Sequence, residues 1–389
     1  MTQTRTAATC APPVMEARRW LDGAEFSPDQ PLINVSQAAP VAAPPLAMRE
    51  EMARLVRDEP QAHLYGPVLG LPELRAEVAD RFSTAYGGAI TAENVAITSG
   101  CNEAFAAAIA TLTREGDEVI LPAPWYFNHK MWLDMAGIRT VPLHPRAGLV
   151  PDPDDAAALI TPRSRAIVLV SPNNPGGVEY PAETLRGFAE LARRHGLALI
   201  VDETYRDFDS REGAPHDLFA DPDWGDVLIQ LYSFSKAYRL TGHRVGAITA
   251  SPARLAEVEK FLDTVTICPA QLGQFAALWG MRHLGDWLAG ERREILARRA
   301  AITRGFDALR PKGWEILGVG AYFAYVRHPF AEASPQLAQR MVRDIAVLAL
   351  PGTMFMPEGD ARGARQMRLA FANVDSDGLA ELCTRLGRL

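Results

Sequence analysis

Lysine is scarce in this chain, and the scarcity narrows any chemistry that needs a nucleophilic amine. Among 389 residues, 40 are Lys or Arg, yet the only lysines are Lys130, Lys236, Lys260 and Lys312. Lys236 has the most suggestive setting, Ser233-Phe234-Ser235-Lys236, directly after the β-rich run Val227–Tyr232. A lysine at a strand end can enter a site, and burial near other cations lowers its pKa from about 10.4 and frees a neutral amine. Shortly afterwards, Gly242-His243-Arg244-Val245-Gly246 supplies a guanidinium whose planar fork suits a phosphate. A lone lysine is ordinarily a solvated surface residue, but the two motifs together are hard to read that way.

Other strand ends carry further candidates. Asp202-Glu203-Thr204-Tyr205 follows the apolar run Leu197–Val201. A carboxylate there can pair with a protonated ring nitrogen, and Tyr205 can hydrogen-bond a ring oxygen. The plainer alternatives are a helix cap or a metal ligand, and no carboxylate cluster or histidine pair supports a metal. Ser171-Pro172-Asn173-Asn174-Pro175-Gly176-Gly177 is by itself a turn. In this company Asn174 becomes a second donor to the ring oxygen. Ser99-Gly100-Cys101-Asn102 joins a strand to a helix start, where free N–H groups and the helix dipole suit a phosphate. At Cys101 the main chain, not the thiol, is the useful part. Pro124-Trp125-Tyr126-Phe127-Asn128-His129 reads as a loop whose rings either stack on a heterocycle or pack the core. His129 is expected to orient Asp202.

These residues need a scaffold that brings strand ends together. Short β-rich runs at Val95–Thr98, Glu118–Leu121, Ala166–Val170, Leu197–Val201, Val227–Tyr232 and Val245–Ala250 are separated by helical stretches such as Asn102–Leu112 and Pro181–His195. That alternation predicts an α/β fold with a mainly parallel, doubly wound sheet, whose ligands bind beyond the carboxyl ends of the strands. Residues 1–45, rich in Ala and Pro, read as an N-terminal arm packing with a smaller domain. Residues 46–280 read as the large domain and 281–389 as the small α+β domain, with a strand near Tyr322–Val326 and a last helix from Asp377 to Leu386.

Composition sets outer limits. With 48% hydrophobic and 22% charged residues and a net charge of −7, the chain resembles an ordinary globular protein with no bias toward nucleic acid or an anionic membrane. No apolar run approaches the ~20 residues of a spanning helix, and the first residues contain no apolar segment typical of a secretory signal. The four cysteines, Cys10, Cys101, Cys268 and Cys383, show no metal-binding spacing and fit a reducing cytoplasm.

Taken in order, Tyr65-Gly66, Ser99-Gly100-Cys101-Asn102, Pro122-x-Pro124-Trp125-Tyr126, Asn173-Asn174-Pro175-Gly176-Gly177, Asp202-Glu203-x-Tyr205, Ser233-Phe234-Ser235-Lys236 and Gly242-x-Arg244-x-Gly246 form a highly specific set. The set resembles the signature of fold-type I pyridoxal-phosphate enzymes of the class I/II aminotransferase group, from roughly Asn34 to the C-terminus. The resemblance implies pyridoxal 5'-phosphate as cofactor and Lys236 as its Schiff-base lysine and proton shuttle. It implies that Asp202 pairs with the ring nitrogen, that Tyr205 and Asn174 bind the ring oxygen, and that Gly100, Cys101, Asn102, Ser233, Ser235 and Arg244 hold the phosphate. Tyr126 matches the ring-stacking position, with Trp125 as runner-up. Tyr65 matches a tyrosine that reaches the partner's phosphate, which implies a homodimer with shared active sites. Arg368, in Met367-Arg368-Leu369-Ala370-Phe371-Ala372, matches the clamp on the substrate α-carboxylate. An arginine inside an apolar strand also needs an anionic partner on physical grounds.

Three positions depart from the family's pattern: Gly176 replaces a usual threonine, Ala38 a usual glycine beside the substrate carboxylate, and His243 a usual aromatic. The expected activity is a ping-pong aminotransferase moving an amino group between an L-amino acid and a 2-oxo acid. The alternative is a β-lyase, decarboxylase or cyclase of the same fold. A transcriptional regulator built on this domain would need a basic DNA-binding module that the arm lacks, and a plain binding protein would leave the joint set unexplained. Specificity is expected from the arm, from Trp125 and Phe127, with Asn174 and Ala38 near the substrate, and from Thr264–Gln271. That last stretch contains no arginine, which favours neutral or aromatic amino donors unless Arg206, Arg239 or a partner's arginine intervenes.

Overall fold

The computed structural model describes residues 4–389. In chain order its strands are β1 (Ile33–Asn34), β2 (Val95–Thr98), β3 (Glu118–Pro122), β4 (Arg139–Leu143), β5 (Ser164–Val170), β6 (Ala198–Asp202) and β7 (Leu228–Ser233). They continue with β8 (Gly246–Thr249), β9 (Glu315–Gly320), β10 (Phe323–Arg327), β11 (Val347–Leu348), β12 (Leu350–Pro351) and β13 (Gln366–Leu369). Seven of them form one sheet in the order β2-β8-β7-β6-β5-β3-β4. β4, β3, β5, β6 and β7 run parallel, whereas β8 is antiparallel to both neighbours. Because β8 runs backwards, its beginning lies at the edge where the parallel strands end.

The sheet is buried on both faces, and side-chain alternation divides it between two cores. Ile167, Leu169, Leu199, Val201 and Leu228 pack into one cluster, while Ala166, Val168, Ala198, Ile200, Ile229 and Leu231 pack into the other. Continuous apolar runs are what a parallel sheet between helical layers requires. The helix Ala182–His195 shows how a layer forms: Leu185, Phe188, Leu191 and Ala192 are buried on one stripe. Its last turn carries Arg193, Arg194 and His195 against the negative end of the dipole, and Gly196 closes it at φ +64°.

Two elements next to β3 differ from the sequence reading, and β1, β9, β11 and β12 were also not expected. Phe127–Ala136 is a helix, not a continuation of the loop after β3. Its cap residue Tyr126 provides no side-chain hydrogen bond, so the usual start signal is missing; Gly137, at φ +74°, marks its end. β4 was not expected either, since it contains Pro142 and an exposed Arg139. It is the edge strand, where proline is tolerated.

The second sheet is antiparallel, in the order β12-β13-β10-β9. Its register sets Tyr325 of β10 opposite Arg368 of β13. The arm is stitched to this region: β1 pairs in parallel with β11, and Ala370 N donates to Val35 O at 2.8 Å. Farther toward the N-terminus the arm also leans on the large sheet's layer, where the helix Arg5–Ala8 packs against Phe127–Ala136. No helix of the described residues is long and apolar enough to cross a membrane.

Candidate active site

The carboxyl ends of the parallel strands, the start of β8 and the arm enclose a cavity of about 270 Å³. Its lining includes Cys101, Asn102, Tyr126, Asn174, Asp202, Tyr205, Ser233, Ser235, Lys236, Arg244 and Arg368, together with Ala38. The motifs scattered through the sequence thus converge on one volume.

Lys236 sits in the short helix Phe234–Ala237, which begins where β7 ends. Ser233 caps that turn by accepting the Ser235 N–H at 3.3 Å. The Lys236 ammonium donates to the Ala38 carbonyl oxygen at 2.6 Å. Burial, then the nearby Arg244 and Arg368 guanidinium groups, lowers its pKa from 10.5 to about 8. A neutral amine is therefore accessible near physiological pH.

Asp202 closes β6 and is buried. One carboxylate oxygen accepts the Thr204 N–H at 3.0 Å, and the other lies 3.2 Å from His129 Nε2. His129 is itself buried and stacked on Phe105, with ring centroids 3.9 Å apart. Burial acts to raise the Asp202 pKa, but the His129 and Thr204 contacts outweigh it and the net shift is downward. The site therefore keeps an anion at this end.

The opposite end is built to receive an anion. The helix Cys101–Leu112 begins at Gly100, whose φ of +93° favours glycine; Glu103 N–H donates to Gly100 O at 3.1 Å, whereas the Cys101 and Asn102 N–H groups have no acceptor within the helix. A Cβ at Gly100 would fall onto the Arg244 guanidinium, and a Cβ at Gly246 would lie 2.6 Å from the Gly100 carbonyl carbon. Both glycines keep the helix start, the head of β8 and Arg244 in close approach. Arg244 is anchored by donating to Thr241 O at 3.1 Å, while Ser235 Oγ stands 3.5 Å from Nη1.

Of the two adjacent asparagines, Asn173 builds the turn and Asn174 faces the cavity. Asn173 Oδ1 accepts the Gly176 N–H at 2.7 Å, and Nδ2 donates to the Tyr180 hydroxyl at 3.0 Å. A Cβ at Gly176 would lie 2.8 Å from Asn173 Oδ1, so glycine fits where the family pattern has threonine. Asn174 Oδ1 accepts from Arg368 Nη1 at 2.9 Å. Arg368 also donates to the Ser36 carbonyl, yet its buried Nε has no hydrogen-bond partner. The rings of Phe323, Phe355 and Phe127 lie 5.0, 5.0 and 5.9 Å from its guanidinium carbon. Burial lowers its pKa to about 10. A buried cation with neutral acceptors and one unmatched N–H matches a carboxylate ligand.

Tyr126 lines the cavity, and its hydroxyl accepts from Asn128 Nδ2 at 2.8 Å. Trp125, the alternative stacking ring and an expected substrate contact, does not line the cavity; it packs away from it under Lys130. Tyr65 also lies outside, 79% exposed. Thr264–Gln271 contributes no lining residue; Thr266 bonds Glu103, and Cys268 Sγ accepts the Gly66 N–H at 3.4 Å. Arg239 is paired with Glu291 at 2.6 Å, and Arg206 lies over the Phe82 and Tyr86 rings, so neither reaches the cavity. The sequence reading missed Val14, Gln37 and Thr204 in the lining and the Ser36 carbonyl on Arg368. Thr204 was within reach of the Asp202 motif; the arm residues carried no local signal.

The donor set fits pyridoxal phosphate. Arg244 and the free N–H groups at the helix start suit its phosphate, and Asp202 suits its ring nitrogen. Tyr205 and Asn174 suit its phenolic oxygen, and the Lys236 amine suits its aldehyde. Among the described residues, no group of three or more His, Cys, Asp or Glu could hold a metal ion.

Residues 30–386 match the model of the family described as aminotransferase class I and II. A probable aspartate/prephenate aminotransferase of Thermus aquaticus is 31% identical over 312 residues, covering 77% of this chain and 78% of that protein. An aromatic aminotransferase of Arabidopsis thaliana is 32% identical over 297 residues, covering 74% and 72%. Among solved structures, an aspartate aminotransferase from Thermus thermophilus with maleate superposes with a TM-score of 0.88 at 25% identity, over 99% of this chain and 98% of that one.

Proposed function

The chain belongs to the class I and II aminotransferases and is a pyridoxal-phosphate-dependent transaminase, and on that premise we propose how its own residues divide the work. When bound, the cofactor supplies an electron sink for the pair left at the substrate α-carbon. Lys236 Nζ would hold the cofactor and, as a free neutral amine, would take the proton from the substrate α-carbon and return it two bonds away, at the far side of the intervening nitrogen. The convergence of Lys236, Asp202, Arg244 and Arg368 on one cavity is the observation that carries this reading, and burial beside two guanidinium groups favours the neutral Lys236 amine that can accept that proton. Asp202, held anionic by His129 and Thr204, keeps a proton on the ring nitrogen. Asn174 and Tyr205 donate to the ring oxygen, Tyr126 stacks on the ring, and Gly100, Cys101, Asn102, Ser233, Ser235 and Arg244 bind the phosphate. Arg368 clamps the α-carboxylate, beside Asn174 and the Ala38 peptide, and so aims the α-hydrogen at Lys236.

One cavity with one carboxylate clamp implies that amino acid and 2-oxo acid use it in turn, the ping-pong order. We read the donors as neutral or aromatic. Among the described residues the cations lining the cavity are Lys236, Arg244 and Arg368, all engaged by these roles, and none is left for an acidic side chain. Tyr65 belongs to a homodimer in this reading, in which its exposed hydroxyl serves the partner's phosphate. The same reading divides the chain into an arm to residue 45, a large domain to 280 and a small domain beyond, working in the cytoplasm with its four cysteines reduced. The test is a half-reaction. Protein loaded with pyridoxal phosphate is mixed with single amino acids, and the cofactor's visible absorption is followed. Loss of the band with a neutral or aromatic donor, and its return with a 2-oxo acid, supports the proposal. A response confined to aspartate and glutamate would overturn the donor class, and no response to any amino acid would overturn the assigned roles.

A further inference from the structure

Two cavities meet at one side chain. The reactive cavity, about 270 Å³, falls below the roughly 300–1,000 Å³ usual for sites that enclose drug-sized ligands, yet it must admit a cofactor and an amino acid. Across Phe127 lies a chamber of about 1180 Å³ between the arm, the helix Phe127–Ala136 and the segment 351–361. Among the described residues Phe127 alone lines both. Its neighbours divide between the two: Tyr126 and Val14 line the reactive cavity, Trp125 and Pro13 the chamber.

The Phe127 ring is 7% exposed, packed 5.5 Å from the Phe355 ring and 5.9 Å from the Arg368 guanidinium carbon. It therefore stands beside the group proposed to hold the α-carboxylate. A bulky substituent on the adjoining carbon has this ring as its neighbour. The chamber wall beyond carries Trp20, Trp125, Met354 and Met356, interspersed with the carboxylates Glu16, Glu358 and Asp360. Its basic residues are already paired: Arg5 with Glu115, Lys130 with Asp134, Arg139 with Glu118. Among the described residues no unpaired cation lines it for an acidic side chain.

We propose that Phe127 is a specificity-determining partition, and that the chamber behind it is a subsite for the distal part of long or aromatic neutral side chains. This inference rests on the transaminase reading given above and adds to it the residue that limits donor size. With Phe127 in place, the smaller of the neutral donors are favoured over the aromatic ones; shortening it joins the two volumes and opens the chamber to the distal part of a long or aromatic side chain.

The test uses the holoenzyme, with Phe127→Ala and the milder Phe127→Leu beside the parent. Two readouts are taken: kcat/KM for alanine and tryptophan, and calorimetric Kd for the unreactive carboxylates propionate and indole-3-propionate. We expect the tryptophan-to-alanine ratio to rise about tenfold or more in Phe127→Ala, with Phe127→Leu between, and indole-3-propionate to tighten relative to propionate in the same order. An unchanged ratio, or equal losses for both members of each pair in folded protein, would overturn the partition. If Phe127→Ala does not fold, the Phe127→Leu ratios decide. If the parent transaminates no amino acid, the roles proposed above fail, while the carboxylate affinities still test Phe127.

Discussion

Asp202 and Glu203 are consecutive residues that serve opposite faces of one sheet. Asp202 shares the face of Ala198 and Ile200, lines the cavity and has His129 behind it. Glu203 turns to the other core, where it accepts the Tyr86 hydroxyl at 2.6 Å and lies 3.3 Å from His216 Nε2. The two substitutions should therefore separate function from stability. Asp202→Asn is expected to keep the parent's Tm and lower kcat on the order of 10²-fold or more. Glu203→Gln is expected to lose about 1–3 kcal/mol of stability, with kcat of the folded fraction near the parent's. Paired thermal unfolding and steady-state kinetics check both.

Glu203 also sets an acid limit. Burial alone would raise its pKa, but His216, Arg206 and the Tyr86 hydroxyl outweigh it and bring the value from 4.5 down to about 2. The stabilisation is thus complete above pH 4.5 and lost as pH falls toward 2. The stability gap between parent and Glu203→Gln should shrink across that window, as denaturant titrations at stepped pH would record.

Lys236 titrates with the opposite consequence. Its pKa is about 8 in the folded chain against 10.5 ordinarily, so between those values the unfolded chain holds a proton that the folded chain has released. Raising pH through the window favours folding. Cofactor-free Lys236→Met should exceed the parent in stability below pH 8, and the difference should diminish toward pH 10.5. A gap independent of pH would contradict this titration.

Arg368 is a buried cation whose partners are a carbonyl and an amide. Arg368→Leu is expected to raise the KM for amino donors by about 100-fold or more while leaving Tm within a few degrees, since removing an unpaired buried charge offsets the lost hydrogen bonds. Arg368→Lys keeps the charge but not the fork, and should recover only part of the affinity.

Gly100→Ala should weaken the hold on the cofactor and also strain the backbone at the helix start. The new methyl meets Arg244 at a residue with φ +93°. Dialysis equilibrium is expected to show pyridoxal phosphate bound at least about tenfold more weakly, with kcat at saturating cofactor reduced less.

Much of this was legible in the sequence because strand ends are local. The apolar runs before Asn174, Asp202 and Lys236 announce buried parallel strands, and a parallel sheet delivers whatever follows them to one edge. Arg244 obeyed the same logic for a different reason, since β8 runs backwards and presents its beginning there. What was not legible depends on distant packing. Gln37 reaches the cavity and the Ser36 carbonyl reaches Arg368 beside the pairing of β1 with β11, more than 300 residues later in the chain, and Val14 comes in on a helix packed against β12. Trp125 and Tyr126 are adjacent aromatics whose assignment depends on how the chain turns into an unannounced helix at Phe127.

The arm's two carbonyls set a threshold that a substrate must exceed. Ser36 O accepts from Arg368 and Ala38 O accepts from Lys236, so each side chain already has a peptide dipole as its partner. Substrate entry at Arg368 is then an exchange, a full negative charge against a peptide dipole. The affinity measured is the difference between the two. A neutral amide or ester would trade one dipole for another and gain little, so the peptide that fills the clamp also screens out molecules without a free carboxylate.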